Sequence, residues 1–230
     1  MTENFTDVNR FKDSILSQLS EKRYVHTMGV RETAAELCRI HGQEAMEPEP
    51  VGEDNSDERE NTVGEDNSAG VDNLVEKADL AVCFHDLYRG RPLSELDELI
   101  EKYGISDRYK GNANLAHGKI AAAAMKEEYG IRDEDMINAV SYHTTGREGM
   151  SLLEKIVFLA DAIEPGRDYP LVDKLREMSR INLDEACLMS LDGTIKFLEN
   201  QGETDIDKDT LKARDWLRDK MNEGRRMAGI

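Results

Sequence analysis

The amino-acid sequence predicts an all-α fold, a helical bundle built as one domain over residues 1–230. Three observations support this class. Apolar residues recur at helical spacing in most segments, as in Val30, Ala34, Leu37 and Cys38. Capping residues, glycines and prolines stand where these periodic segments begin and end. No segment alternates apolar and polar residues as a half-buried strand would.

The first half of the chain contains three predicted helices. The first covers about residues 20–42, and we expect Gly42 to end it. The second follows a stripe of apolar residues over 74–85. The third is short, with Ser94 as the expected cap and Gly104 as the expected stop.

The second half continues this helical pattern. The predicted elements are an alanine-rich helix that ends at Gly130, a helix carrying Met136, Val140 and His143 on one face, a helix from Ser151 to about Pro165, and two C-terminal helices at about 183–199 and 208–222. Ser151 and Glu154 have the spacing of a capping box, in which each side chain bonds the other residue's backbone N–H.

A strongly acidic segment interrupts the first half. Residues 43–73 hold eleven acidic residues and one arginine, a net charge of −10, and contain no aromatic residue. We expect a disordered loop insertion at about 44–72, because so few apolar side chains cannot offset the entropy of ordering. The hexapeptide VGEDNS occurs at 51–56 and again at 63–68. Either a local duplication lengthened the loop, or the segment docks a basic partner.

Charge and cysteine usage limit the function classes. The formal net charge of −18 argues against nucleic acid or an acidic membrane as a partner. Three separated cysteines without CxxC spacing do not indicate a disulfide framework or a thiolate metal site. Because neither a secretory signal nor an apolar run of about 18 residues is present, we expect a cytoplasmic protein.

Several ionisable side chains lie on apolar helix faces and are therefore aimed at the core. His26, His85, His143 and Asp161 each share a face with buried-type residues. Buried charge is costly unless it is paired or coordinates a metal, so a bound cation is the simplest common explanation. Imidazole and carboxylate ligands without thiolate suit iron, manganese or a similar divalent metal. His41 adjoins the expected end of a helix, where it would cap carbonyls, and is left out of the site.

The motifs resemble a known family. The segments RYVHTMGVRETAAELCRIHG, HDLYRGRP, LAHGKIAAAAMKEEYGI and AVSYHTTGREGMSLLEKIVFLADAIEPGRDYP, which together span 23–170, resemble the HD metal-dependent phosphohydrolases. More narrowly, they are similar to the YqeK-type symmetrical bis(5'-nucleosyl)-tetraphosphatases. YHTTGR followed by LADAIEPGR is a more specific match than the His85–Asp86 pair.

The resemblance implies an HD-domain bundle with a dinuclear centre, usually of iron, that cleaves diadenosine tetraphosphate into two ADP through a metal-activated hydroxide. It implies two sets of metal ligands: His26, His85, Asp86 and Asp161 for one ion, and His117 and His143 for the other, with Asp86 bridging both. Arg89 stands where the family motif usually has lysine, and we expect it to act in catalysis beside Asp86.

Phosphates also need positioning groups, because the chain as a whole is acidic. The candidate substrate-binding residues are Arg89, Lys119, Thr144, Thr145, Gly146, Arg147, Glu164 and Arg167. Glu164 would hold Arg167 in place or orient a water molecule. Each of these cations is equally compatible with an ordinary surface ion pair.

Two other functions stay open from the sequence. The same metal centre could act on a different nucleotide, such as a nucleoside monophosphate or a guanosine alarmone. Alternatively, the protein could be a non-catalytic metal- and nucleotide-binding sensor. In every case we expect a small-molecule nucleotide as the partner, and the sequence does not decide between a monomer and a homodimer.

Overall fold

The computed structural model describes residues 10–44 and 66–227, and this part of the chain is all-α, as the sequence predicts. It contains no strand, and none of its helices is both long and apolar enough to cross a membrane. A 3₁₀ turn covers Asp107–Tyr109. The helices are α1 (Arg10–Leu16), α2 (Glu21–Glu44), α3 (Asp66–His85), α4 (Leu93–Lys102), α5 (Ala113–Glu127), α6 (Glu134–Tyr142), α7 (Leu152–Ile163), α8 (Val172–Ser179), α9 (Leu183–Asn200) and α10 (Lys208–Met227).

Helices α2, α3, α5, α6 and α7 form the centre of the bundle. Helix α2 packs against α3 and α7, while α6 lies between α5 and α7 and also touches α3. Helix α9 joins α10 to this group through its contacts with α7 and α8. Large side chains fill the space between the helices, among them Phe84, Leu37, Ile120, Leu153 and Ile156. Removing this apolar surface from water is the main force that holds the helices together.

Side-chain caps begin six of the described helices, including α2 at Ser20 and α10 at Asp207. Asn112, Asp133, Ser151 and Asn182 each accept a hydrogen bond from a backbone N–H in the first turn that follows. The predicted cap at Ser151 is confirmed, with 3.1 Å between its Oγ and the Glu154 nitrogen. The second half of the predicted capping box is not formed, because the Glu154 carboxylate bonds to an arginine instead.

Helix α2 runs past its predicted end. Gly42 lies inside the helix rather than after it, and a Cβ at this position would be 3.3 Å from side-chain atoms of both Leu74 and Val71. The glycine therefore allows α2 and α3 to approach closely, which is a packing reason for its presence rather than a terminating one. Helix α3 begins at Asp66, and Val71 is buried in this contact. Residues 66–72 are therefore helical, whereas the prediction placed them in a disordered loop. The remainder of the predicted insertion, 45–65, lies outside the described residues.

Three other features differ from the predictions. Ser94 does not cap α4, because the helix begins at Leu93 with Pro92 in the capping position. Helices α1 and α8 have no predicted counterpart. They contain seven and eight residues, so their apolar stripes repeat too few times to be recognised by period alone.

Candidate metal centre

Four histidines from four helices converge in the interior of the bundle. His26 lies in the second turn of α2, His85 ends α3, His117 lies in α5, and His143 directly follows α6. The Nε2 atoms of His117 and His143 are 3.0 Å apart, and those of His26 and His85 are 3.3 Å apart. His85, His117 and His143 are almost completely buried. The convergence predicted from helical spacing is therefore present in the structure.

The outward nitrogen atoms of three of these rings are held by the backbone. Nδ1 contacts the Val82 carbonyl oxygen at 2.6 Å in His85, the Ala113 oxygen at 3.0 Å in His117, and the Val140 oxygen at 2.7 Å in His143. A carbonyl oxygen only accepts, so Nδ1–H must be the donor in each case. This assigns the tautomer and leaves the Nε2 lone pair directed into the cluster.

This arrangement suits a bound cation. The lone pairs of His117 and His143 face each other across 3.0 Å and repel unless a proton or a cation lies between them. Burial, together with the neighbouring His117 and His85, lowers the pKa of His143 to about 3, which opposes protonation. Two nitrogen atoms bound about 2.1 Å from one ion and at right angles around it lie about 3.0 Å apart. The residues present therefore fit a divalent metal.

Two carboxylates complete the cluster. Asp86 places Oδ1 3.3 Å from Nε2 of His117, and its Oδ2 3.7 Å from Nε2 of His26 and 3.8 Å from that of His85. Asp161 Oδ1 lies 3.0 Å from Nε2 of His26. The cluster contains two groups of possible metal ligands, and Asp86 belongs to both. One is His26, His85 and Asp86, the other is Asp86, His117 and His143, and within each group the ligand atoms lie within 4.8 Å of one another.

The electrostatics of the two aspartates favour the ionised form that a metal requires. Burial alone would raise the pKa of Asp86, but the hydrogen bond with His117 and the nearby imidazoles hold it below its usual range. Burial acts in the same way on Asp161, and contact with His26 and the charge of Arg167 keep that pKa low as well. Both carboxylates are therefore negatively charged at neutral pH.

Three arginines border the cluster, and the sequence predicted two of them. Arg167 donates from Nη2 to Asp161 Oδ1 at 2.5 Å, and Arg89 Nη1 lies 3.4 Å from Nε2 of His117. The third, Arg23, was not predicted and donates from Nη1 to Asp86 Oδ2 at 2.6 Å. Its position three residues before His26 on α2 was an available signal, because such residues share a helix face.

Glu164 has a nearer neighbour than the one predicted. The sequence indicated a partner for Arg167, whose Nε lies 3.8 Å from Glu164 Oε1. The shorter contact, at 3.1 Å, joins Oε1 to Nδ1 of His26, and Oε2 accepts from the Gly166 backbone nitrogen at 2.5 Å. Because a carboxylate accepts from Nδ1–H, Glu164 orients Nε2 of His26 toward the cluster, as backbone carbonyls do for the other three rings.

Two cavities adjoin the cluster. The first, the arginine-lined cavity, has a volume of about 670 Å³ and is bordered by Arg23, Arg89 and Arg167 together with His26, Asp86 and Asp161. The second, the α9 cavity, has a volume of about 480 Å³ and is bordered by Arg89, Thr144 and Thr145 and by residues of α9 and the segment after it. Arg89 is shared by both cavities. Thr144 Oγ1 also lies 3.2 Å from Nε2 of His143.

The remaining predicted substrate contacts border neither of these cavities. Arg147 makes two hydrogen bonds of 2.6 and 2.5 Å to the buried Glu154 carboxylate. Gly146 has φ +64° and packs where a Cβ would be 3.1 Å from Ala213. The ammonium of Lys119 is buried 3.3 Å from the ring centroid of Tyr142 and has no hydrogen-bond partner among the described residues. These positions indicate packing roles.

His41, which was not predicted to belong to the site, takes no part in the cluster. It is buried in the last turn of α2, and its Nε2 donates to the carbonyl oxygen of Ser179 at 2.7 Å. Ser179 is the last residue of α8, so the expected capping of a helix carbonyl occurs, but on a neighbouring helix.

Comparison with known proteins identifies the family. Residues 23–166 match the family model of the HD domain. The chain belongs to the HD domain family. HD domains bind divalent metals, in agreement with the His and Asp cluster described above. The matched range includes every residue of that cluster, from His26 to Asp161.

Several relatives of this HD domain carry a functional name. The chain is 38% identical to a Halalkalibacterium halodurans protein named symmetrical bis(5'-nucleosyl)-tetraphosphatase, over 84% of this chain and 87% of that protein. It is 32% identical to the Bacillus subtilis protein of the same name, over 88% of this chain and 93% of that protein. A Clostridium acetobutylicum crystal structure, described as a predicted HD superfamily hydrolase involved in NAD metabolism, is 35% identical with a TM-score of 0.73, covering 92% of this chain and 97% of that one.

Proposed function

We propose that this HD domain hydrolyses diadenosine tetraphosphate symmetrically to two ADP and that it uses two divalent metal ions, with iron or manganese as the first candidates. The observation that carries this proposal is the pair of ligand groups that share Asp86, in which imidazole lone pairs face each other. The relatives named symmetrical bis(5'-nucleosyl)-tetraphosphatase support the choice of substrate and of cleavage position.

The distances within the cluster support one ligand assignment. His26, His85, Asp86 and Asp161 would hold one ion, while Asp86, His117 and His143 would hold the second. When bound, such a metal pair polarises phosphoryl oxygens and lowers the pKa of a coordinated water. Asp86 reaches both groups because its two oxygen atoms point in different directions, Oδ1 toward His117 and Oδ2 toward His26 and His85.

The arginines would bind the polyphosphate. Arg23, Arg89 and Arg167 border the same cavity as the ligands, so phosphate oxygens that reach the metals also come within range of guanidinium groups. An arginine presents several N–H donors in a planar fork that matches two phosphate oxygens. Arg89 would contact phosphates on both sides of the reacting phosphorus, because it borders both cavities.

The deciding experiment is an anaerobic assay of purified protein loaded with iron or manganese, in which AMP, ADP and ATP are separated by chromatography. We expect ADP as the only product. AMP with ATP would overturn the symmetrical cut, and turnover of a nucleoside monophosphate or guanosine alarmone in place of diadenosine tetraphosphate would overturn the substrate. Nucleotide binding without any product would favour a sensor.

A pair of variants tests the role of the cluster. Asp86→Ala removes the carboxylate shared by both ligand groups, so we expect loss of bound metal and of turnover with a helical circular-dichroism spectrum retained. Asp173→Ala is the matched control, since this carboxylate lies in α8 with 89% of its side chain exposed. Normal metal content and turnover in Asp86→Ala would refute the assigned ligands.

A further inference from the structure

The α9 cavity differs from the arginine-lined cavity in its number of cationic side chains. Among the described residues, four cationic side chains, Lys22, Arg23, Arg89 and Arg167, border the arginine-lined cavity, whereas Arg89 is the single cation on the border of the α9 cavity. Three carboxylates, from Glu203, Asp205 and Asp207, border the α9 cavity as well. The α9 cavity therefore offers a polyphosphate one guanidinium group, beside Arg89, where the arginine-lined cavity offers several cations.

The rest of the α9 cavity suits a neutral, hydrogen-bonding ligand. Asn112, Asn114 and Thr194 contribute amide and hydroxyl groups that can both donate and accept. Carboxylate oxygens accept hydrogen bonds from the hydroxyls of a ribose or the amino group of a base. A volume of about 480 Å³ falls within the ordinary range for small-molecule pockets. A nucleoside has this combination of size and polarity.

One aromatic ring in this cavity has no structural role in the core. Phe197 lies on α9, borders the cavity and remains 61% exposed, although most large apolar side chains of the described residues are buried. An exposed aromatic ring can serve as a platform for a nucleobase, because every base has a face that can stack. The arginine-lined cavity also contains an aromatic residue, Tyr169.

We propose that the α9 cavity is the subsite for one nucleoside of the dinucleotide, with its base stacked on Phe197. This proposal rests on the proposed function and adds the recognition of the second half of the substrate. The polyphosphate passes Arg89 and the metal ligands, and the other nucleoside occupies the arginine-lined cavity. Because Arg89 borders both cavities, the two halves of a symmetrical molecule then lie on either side of the metal centre.

Steady-state kinetics with diadenosine tetraphosphate on the metal-loaded full chain tests this subsite. We expect Phe197→Ala to raise KM roughly 5- to 150-fold, the range that corresponds to loss of one base–aromatic stack, with kcat changed much less. Phe197→Trp restores a stacking face and should return KM to within about threefold of the wild-type value. The matched control is Ile181→Ala, which truncates another exposed apolar side chain, 74% exposed, that borders neither cavity.

The outcomes separate this proposal from the proposed function. If the wild-type protein converts the substrate to ADP and Phe197→Ala has an unchanged KM, the nucleoside subsite is refuted and the hydrolase assignment stays intact. An equal loss in Phe197→Ala and Phe197→Trp would assign the residue to packing and would also refute the subsite. Absence of ADP formation by the wild-type protein would overturn both proposals together.

Discussion

Gly118 controls how closely α5 approaches α6, and its replacement gives a quantitative test of the metal centre. A Cβ at this position would lie 2.9 Å from Cε1 of His143, 2.9 Å from the Val140 carbonyl oxygen and 3.0 Å from Nδ1 of His143. One of these atoms belongs to the backbone and the others to a ring held by a hydrogen bond to it. Neither can turn aside, so Gly118→Ala must move the two helices apart.

Two opposing effects set the magnitude. Alanine in a helix is favoured over glycine by about 1 kcal/mol of unfolding free energy. Overpacking of this kind costs about 1–3 kcal/mol. Restoring ordinary contact requires a movement of about half an ångström, because real Cβ contacts are usually longer than 3.4 Å. That movement would widen the 3.0 Å separation between Nε2 of His117 and Nε2 of His143. His117 directly precedes Gly118, and the His143 ring packs against Gly118.

The control is Gly224→Ala in α10, where a Cβ would meet no described residue within 4 Å beyond its chain neighbours and its own helix backbone. Both variants gain the same helix propensity, so the difference between them isolates the steric conflict. We expect Gly118→Ala to unfold about 2–12 °C below Gly224→Ala, since 1 kcal/mol corresponds to about 2–4 °C in a chain of this size. We also expect it to retain less metal, measured by elemental analysis after dialysis. Equal melting temperatures and equal metal content would refute the reasoning.

Three other substitutions test neighbouring groups. Glu164→Ala should weaken metal binding about 10- to 100-fold in a titration with Mn²⁺, because His26 loses the group that orients it. Glu164→Gln should retain more affinity. Equal affinity in the wild-type protein and both variants would contradict this role. Arg147→Ala should lower the melting temperature and leave KM for the nucleotide unchanged, since it removes the partner of buried Glu154; a raised KM with normal stability would restore the substrate role that the sequence predicted. Burial lowers the pKa of Lys119 from 10.5 to about 8, so Lys119→Met should raise the melting temperature at pH 7. Between pH 8 and 10.5 the unfolded chain binds more protons than the folded protein, so the stability of the wild-type protein rises with pH in this range. The higher melting temperature of the variant should therefore shrink toward that of the wild type. A constant difference in melting temperature across this range would exclude the buried cation as the cause of the difference.

The sequence predicted the inward-facing ligands well because burial follows helical period. His26, His85, His143 and Asp161 could be recognised from their places on apolar stripes, and the structure brings all four together. His117 followed from its spacing and from the resemblance to the HD family. Period alone says which face of a helix is buried, but not which two buried residues meet, since that depends on how helices cross.

This limit explains the residues that the sequence assigned differently. Lys119 and Arg147 were chosen for their charge and proximity to ligands along the chain, yet Lys119 turns toward Tyr142 and Arg147 toward Glu154. Glu164 was predicted to hold Arg167, its neighbour in sequence, or to orient a water molecule, whereas its shorter contact is with His26, 138 positions away. Contacts between distant segments are fixed by packing, which a single sequence shows only indirectly.

The charge of the arginine-lined cavity links metal binding to substrate binding. Its border contains four cationic side chains and five carboxylates, a formal charge of −1 with histidine neutral; these are Lys22, Arg23, Arg89 and Arg167, and Glu32, Asp86, Asp161, Glu164 and Asp168. Salt screens charges beyond about 8 Å at physiological ionic strength, so this local sum matters more to a phosphate than the net −18 of the whole chain. The two divalent ions proposed above would change the local charge from −1 to +3. With these ions bound the cavity would attract a polyphosphate more strongly, so the metal ions would control affinity for the substrate as well as its hydrolysis.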